Sequence, residues 1–358
     1  MKLKTMNKTT RSNMITYAMV IIAFIIVQIM LGTGNISSRL QGQLVPICAY
    51  IVMAISLNLT VGVLGELSLG HAGFMSAGAF SGIVVASCLS QNTSNEILVL
   101  VLSMLVGGVV AAIVGVIVGV PVLRLSGDYL AFVTLAFGEI IKGIVNNLYV
   151  GLDGGGLHIS LIKNTLQMDG GKVLINGPMG LTGIPRIASF TVGFILILVC
   201  LFVIFNLVNS KSGRAIMALR DNKIAAQSVG INITNYKLMA FVISAAMAGM
   251  AGVLFAANFS TVVASKFDFN TSILILVFVV LGGLGNMRGS IIAATVLTVL
   301  PEVLRSFSDY RMLVYAVVLI VMMLATNNPT LKNGLNLAWS KIAGLFRKNT
   351  EKGEQANV

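Results

Sequence analysis

Ile97-Leu-Val-Leu-Val-Leu-Ser-Met-Leu-Val-Gly-Gly-Val-Val-Ala-Ala-Ile-Val-Gly-Val-Ile-Val-Gly-Val120 runs for twenty-four residues without a charge. One bilayer crossing needs about 20 mostly apolar residues, so this stretch reads as a transmembrane helix. Further apolar runs lie at Met14–Leu31, Leu44–Leu64, Ala72–Leu89, Tyr129–Val150, Ala188–Asn206, Leu238–Ala257, Ser272–Gly285, Ser290–Leu304 and Met312–Ala325, which makes ten. The whole chain agrees. Of 358 residues, 56% are hydrophobic and only 10% charged, against roughly a quarter charged in a soluble domain. Too few charges remain to cover a soluble surface. That excludes a soluble enzyme, a DNA-binding protein and a secreted disulfide scaffold, and predicts an all-α polytopic membrane protein with about ten transmembrane helices.

Ten crossings put both termini on one side. The termini and even-numbered connections hold sixteen Lys and Arg, including Lys2, Lys4, Lys8, Arg11, Arg214, Arg220, Lys223, Lys237 and Arg288, and the other side holds seven. The positive-inside rule then places both ends in the cytoplasm. Expected divisions are a cytoplasmic tail over 1–13, a transmembrane domain over 14–326 and a cytoplasmic tail over 327–358. The first run, Met14–Leu31, reads as a retained span because Leu31-Gly-Thr-Gly-Asn35 makes a poor cleavage site. The net charge of +12 is thereby a topology signal, and no nucleic-acid partner is needed to explain it. Cys48, Cys88 and Cys200 share no metal or redox spacing, and no metal or cofactor is expected on this chain.

Small residues recur every fourth position: Gly78 and Gly82, then Gly107, Ala111, Gly115 and Gly119, then Ala248, Gly252 and Ala256. Such stripes let helix backbones approach closely where lipid gives little drive for association. Helix-breaking and polar residues gather between the second and third runs: Asn58, Gly62, Gly65, Glu66, Ser68, Gly70, His71 and Gly73. Polar groups at that depth must be buried in protein or face a wet cavity. Asn58, Glu66, Ser68 and His71 are therefore candidates for a pathway or gate, with satisfied packing as the alternative. Glu139 and Lys142, three residues apart on one helix face, are a further pathway candidate or a mutually neutralising pair. The segment 151–187 is the longest external connection and is rich in glycine. It has no preceding strand or following helix that would make a nucleotide cradle, and reads as an outer gate, a docking surface or an ordinary loop.

The stretch 210–237 is different in kind. Lys211-Ser-Gly-Arg-Ala-Ile-Met-Ala-Leu-Arg-Asp-Asn-Lys-Ile-Ala-Ala-Gln-Ser-Val-Gly230 predicts two short amphipathic helices with a glycine stop. A transporter driven by a separate motor needs a stiff exposed element of this sort. The loop resembles the coupling segment of ABC importer permeases, with Ala225-Ala226 and Gly230 matching its short motif; Gln227 stands where that family often has Glu. More specifically, the chain resembles the branched-chain amino-acid permeases of the LivM type. The matching blocks are Ser56-Leu-Asn-Leu59 through Gly65-Glu-Leu-Ser-Leu-Gly-His-Ala-Gly-Phe74, Asp128 to Ile140, Gly213 to Phe241, and Leu281-Gly-Gly-Leu-Gly-Asn-Met-Arg-Gly289. Thr134, in the second block, joins the pathway candidates. One departure is an insertion around Ile159–Ile175, between Gly154-Gly155 and Gly180-Leu-Thr-Gly-Ile-Pro185.

The resemblance implies a fold like that of type II ABC importers such as the cobalamin permease. It also implies a bacterial plasma (inner) membrane location, a second homologous permease subunit, two cytoplasmic ATPase subunits and an external substrate-binding protein. ATP would be used by the partners, since the chain has no G-x-x-x-x-G-K-[ST] loop, and the chain itself would not be an enzyme. Coupling would fall to Arg214, Arg220, Ala225, Ala226, Gln227 and Gly230. Rival readings are a urea or short-amide ABC permease and an ion-coupled secondary transporter working alone. An intramembrane hydrolase would need a convergent nucleophile–base pair or metal cluster, and two histidines supply little for one.

Overall fold

A computed structural model describes residues 8–34, 37–91, 93–125, 127–153, 156–161 and 171–304, together with 316, 317 and 320. Most of the tenth apolar run, the tail 327–358, Gly154-Gly155 and most of the 159–175 insertion lie outside the described residues. Contacts gather the chain into a unit through Val299 and a second from Leu300 on, of which few residues are described.

The helices are α1 (Lys8–Gly32), α2 (Ser38–Asn58), α3 (His71–Leu89), α4 (Glu96–Val122), α5 (Asp128–Asn146), α6 (Phe190–Asn209), α7 (Lys211–Asp221), α8 (Lys223–Ser228), α9 (Ile233–Ala256), α10 (Phe269–Gly282) and α11 (Met287–Val303). A π-helical turn, Leu59–Leu64, extends α2. Several starts are fixed by a side-chain oxygen that accepts a free backbone N–H of the first turn. Ser37 takes Leu40, Asn95 takes Leu98, Asn232 takes Asn235 and Asp268 takes Thr271.

The core is α2, α3, α4 and α9, with α9 central. Its glycines set the spacing. A Cβ on Gly78 would collide with the backbone of Gly249, one on Gly249 with the Gly107 carbonyl and Ala111, and one on Gly252 with the Met75 carbonyl. The stripes are thus tight seams inside this subunit. Helix α1 is peripheral. It is held by Phe24 stacked on Phe194 at a centroid distance of 4.0 Å, and by the Arg288 side chain, which donates to Thr16 Oγ1 at 2.6 Å and to the Ser12 carbonyl.

Among the described residues, six helices are long and apolar enough to cross a membrane: Ser12–Gly32, Ser38–Leu64, His71–Leu89, Glu96–Val122, Phe190–Asn209 and Ile233–Ala256. Three more of the ten expected runs fall on α5, α10 and α11, which are not among those six, and the tenth lies mostly outside the described residues. The apolar run read as Tyr129–Val150 is helical only to Asn146, after which Tyr149 begins a strand. Helix α10 has 14 residues, about 21 Å of helix against a hydrocarbon core of about 30 Å. It is led in by a two-residue strand, Thr261–Val262, and a 3-10 turn, Ala264–Phe267, in which Phe267 is buried.

The glycine-rich connection also differs from expectation. An all-α description holds for the helical body, but 151–187 is not a plain loop. β1 (Tyr149–Asp153), β2 (Gly156–Ser160), β3 (Lys172–Asn176), β4 (Leu181–Thr182) and β5 (Thr261–Val262) form an antiparallel sheet in the order β2-β1-β3-β4-β5. Strand β5, from the far side of α9, pairs with β4 through Leu181 opposite Val262. The sheet therefore lies at the end of the bundle where α5 and α9 finish and α6 begins. A strand does precede Gly154, contrary to the sequence reading, yet no helix opens there.

Candidate functional site

The site begins where α2 breaks. The π turn carries an extra residue into the helix, and Gly65 then leaves it at φ +80°, a conformation that favours glycine. A Cβ at Gly65 would also strike the Arg220 side chain. Glu66 N–H donates back to the Thr60 carbonyl at 3.1 Å, and the chain runs without regular structure to His71, where α3 starts.

Side chains from four other helices hold this break in place. Asn58 donates to Ser290 Oγ at 2.8 Å and accepts from Gly285 N–H at 2.8 Å, which joins the break to the Leu281–Gly289 turn. His71 Nε2 and Ser56 Oγ lie 2.8 Å apart, and the Ser56 carbonyl accepts Ser244 Oγ of α9 at 2.6 Å. Thr134 Oγ1 of α5 accepts Leu69 N–H at 3.0 Å, while Ser272 of α10 accepts Ala72 N–H at 3.1 Å. Asn58, His71 and Thr134 are buried and act as fastenings. Asn58→Ala would strand the Gly285 N–H and remove one partner of Ser290. A loss of about 2 kcal/mol is expected, to be read as a lower thermal midpoint in detergent; an unchanged midpoint would show the bridge to be dispensable.

Glu66 has a different role. Its carboxylate, 7% exposed, pairs with Lys237, a 1% exposed ammonium near the start of α9. The same oxygen lies 3.6 Å from Lys223 Nζ, at the start of α8. Beside it opens a cleft of about 420 Å³ lined by Gly65, Glu66, Asp128, Arg220, Asn222 and Lys223. Arg220 reaches across to donate to the Gly62 carbonyl at 3.0 Å and also pairs with Asp221. The 210–237 segment is thereby moored to the broken helix at two points.

The segment itself is stiff. Asn222 Oδ1 accepts the N–H groups of Ile224 and Ala225. Ala226 is buried, its carbonyl accepts Ile231 N–H, and Gly230 turns the chain at φ +86°. Arg214 reaches the Asn209 carbonyl at 3.4 Å. Ala225, Gln227 and Gly230 are exposed. Two apolar side chains project beside them, Ile224 at 81% and Val229 at 76% exposure.

The structure thus gathers Asn58, Glu66, Ser68, His71 and Thr134 around one break and adds Arg220. It separates Glu139 and Lys142, which form an ion pair with each other on α5 and are partly exposed. Sequence reasoning missed Lys223 and Lys237 as partners of Glu66, having counted both only as topology charges. The one usable signal was the absence of any local countercharge for Glu66. Among the described residues, no group of three or more His, Cys, Asp or Glu could hold a metal.

A multi-pass helical membrane protein whose broken helix is moored to a stiff exposed loop belongs with the permeases. Residues 39–326 match the family described as the branched-chain amino acid transport system / permease component, and the chain belongs to that family. It is 37% identical over 295 residues to the high-affinity branched-chain amino acid transport system permease protein LivM of Escherichia coli strain K12 and equally to that of Salmonella typhimurium, covering 77% of this chain and 66% of each relative. The chain thus spans slightly less than two thirds of those proteins' length. LivH of Salmonella typhimurium is 22% identical over 281 residues, covering 77% of this chain and 88% of LivH. No solved structure matches.

Proposed function

We propose that this chain is a membrane permease subunit of an ATP-driven ABC importer for branched-chain amino acids, providing the translocation pathway by alternating access. Its partners in that reading are a second homologous permease subunit, two cytoplasmic ATPase subunits and an external substrate-binding protein. Its place is the bacterial inner membrane, with ten crossings in the type II importer arrangement and both termini cytoplasmic. The loop end carries Arg124, Lys211, Arg214, Arg220, Lys223, Lys237 and Arg288, which supports a cytoplasmic assignment for that end. The sheet then lies outside, where a binding protein would dock.

The observation that carries the reading is the bare apolar pair Ile224 and Val229, on a short helix and the residue that ends it, beside the contacts of Arg220 and Lys223 with the helix break. A carrier working alone gains nothing from presenting it. In the cycle, ATP-driven closure of the motors displaces α8, and the links through Arg220 and Lys223 pass the displacement to the break after α2. The seam glycines keep α3, α4 and α9 as one block, so movement concentrates at the break. Asn58, Ser68, His71 and Thr134 set the position of that gate; Glu139 and Lys142 neutralise each other on the flank.

The test is uptake by the co-expressed complex in proteoliposomes, with leucine, isoleucine, valine and urea as competing solutes. ATP-dependent uptake of the three amino acids is expected. Uptake of urea alone would replace the substrate assignment, and uphill transport by the isolated chain without ATPases would overturn the class.

A further inference from the structure

Glu66 stands at the only place among the described residues where a buried carboxylate faces two ammonium groups from different helices. The two partners are unequal. Lys237 is fully enclosed and belongs to α9, which is locked to α3 and α4 by glycine seams. Lys223 is 37% exposed, more distant, and is the first residue of the six-residue helix α8. Any shift of α8 changes the Lys223–Glu66 separation while Lys237 stays fixed.

The break around Glu66 is also under-bonded. The hydroxyls of Thr60 and Ser68 are buried without a hydrogen-bond partner, on either side of Glu66. Buried polar groups ordinarily find partners, so a segment carrying two orphans has bonds to gain from a second arrangement. A carboxylate held between a fixed cation and a displaceable one, inside such a segment, is a two-state element that an outside push can bias.

We infer that Glu66 is the positioning residue that transmits motion of α8 to the break after α2, with Lys237 as its anchor and Lys223 as its input. This rests on the proposed ABC permease function. Loss of the Lys223 contact should leave α8 able to receive the motors but unable to drive the gate. The quantity that reports this is solute taken up per ATP hydrolysed, because a folding or assembly defect scales both terms together.

The experiment uses the full complex in proteoliposomes with the external binding protein and leucine. Lys223→Gln is expected to lower the uptake-to-hydrolysis ratio by about fivefold or more, the usual scale of a site-to-site coupling, and Lys223→Arg to restore it. Glu66→Gln alone leaves Lys237 buried without its countercharge, and is expected to reduce the amount of protein in the membrane. The double variant Glu66→Gln/Lys237→Met removes both charges, so abundance should recover while the ratio stays low. Normal ratios in Lys223→Gln and in the double variant, beside a wild-type complex that transports leucine, would overturn the inference. A wild-type complex that shows no ATP-dependent leucine uptake would instead overturn the function on which it rests.

Discussion

Gly252→Leu is expected to leave little folded protein in the membrane. Helix α9 passes between α3 and α4 with backbone against backbone: Gly252 faces the Met75 carbonyl and Ala79 N, and Gly249 faces the backbone of Gly107 and, from the other side, Gly78. A leucine side chain has nowhere to go, since the obstruction is main chain and not the end of a flexible side chain. Overpacking of this kind costs about 3 kcal/mol or more, a large share of the stability of an ordinary domain. Lipid offers no compensating drive, because apolar side chains are as well solvated by lipid tails as by a neighbouring helix. Gly42→Ala is the matched control. A Cβ there meets nothing within 4 Å, and alanine favours the helix by about 1 kcal/mol over glycine. Detergent extraction followed by size-exclusion chromatography separates the two: the first variant should aggregate or vanish, the second elute like wild type. A monodisperse Gly252→Leu would mean that α3 and α9 can part without loss of the fold.

The long helices were legible because hydrophobicity over about 20 residues is a local property. The stripe Gly107, Ala111, Gly115 and Gly119 was equally legible as a packing face, and so was the i,i+3 neutralisation of Glu139 by Lys142. The sheet was not. Strand β1 continues directly from an apolar helix, so its residues extended the hydrophobic run, and β4 and β5 are two residues each, too short for any alternation to show. Helix α10 was overextended at its C-terminal end for a related reason: Gly283 and Gly285 lie in the apolar run but adopt positive φ and end the helix. At the site, the break itself was readable from Gly65, Glu66, Ser68 and Gly70. What it does was not, because the partners of Glu66 come from 157 and 171 residues further along the chain, in elements whose approach is set by tertiary packing. A lone acid among glycines therefore read as a pathway or gate candidate, buried in protein or facing a wet cavity, and the structure places it on the lining of a cleft and against two lysines.

On the proposed ABC permease function, Ile224→Asp and Val229→Asp are expected to disconnect the chain from the ATPase subunits without disturbing its own fold. Ile224 projects from α8 and Val229 from the residue that follows it, at 81% and 76% exposure, and surface changes of that sort ordinarily move stability by no more than about 0.5 kcal/mol. Their exposure is unusual in its setting: the stub is only six residues long, capped by Asn222 and stopped at Gly230, so it cannot bend to hide them. Large apolar groups at the centre of an interface typically carry about 2 kcal/mol or more each, and an aspartate in their place adds the cost of burying a charge against an apolar pocket. Each variant should therefore weaken ATPase binding by roughly thirtyfold or more, and ATP-dependent uptake should fall in proportion. The contrast with Lys223→Gln is diagnostic. That change lowers uptake per ATP within an assembled complex, whereas these two lower the number of assembled complexes and leave the ratio in the survivors unaltered. Quantitative co-purification of the ATPase subunits beside the uptake assay reads both numbers. Full retention of the ATPases by the double aspartate variant would place the docking surface somewhere other than α8.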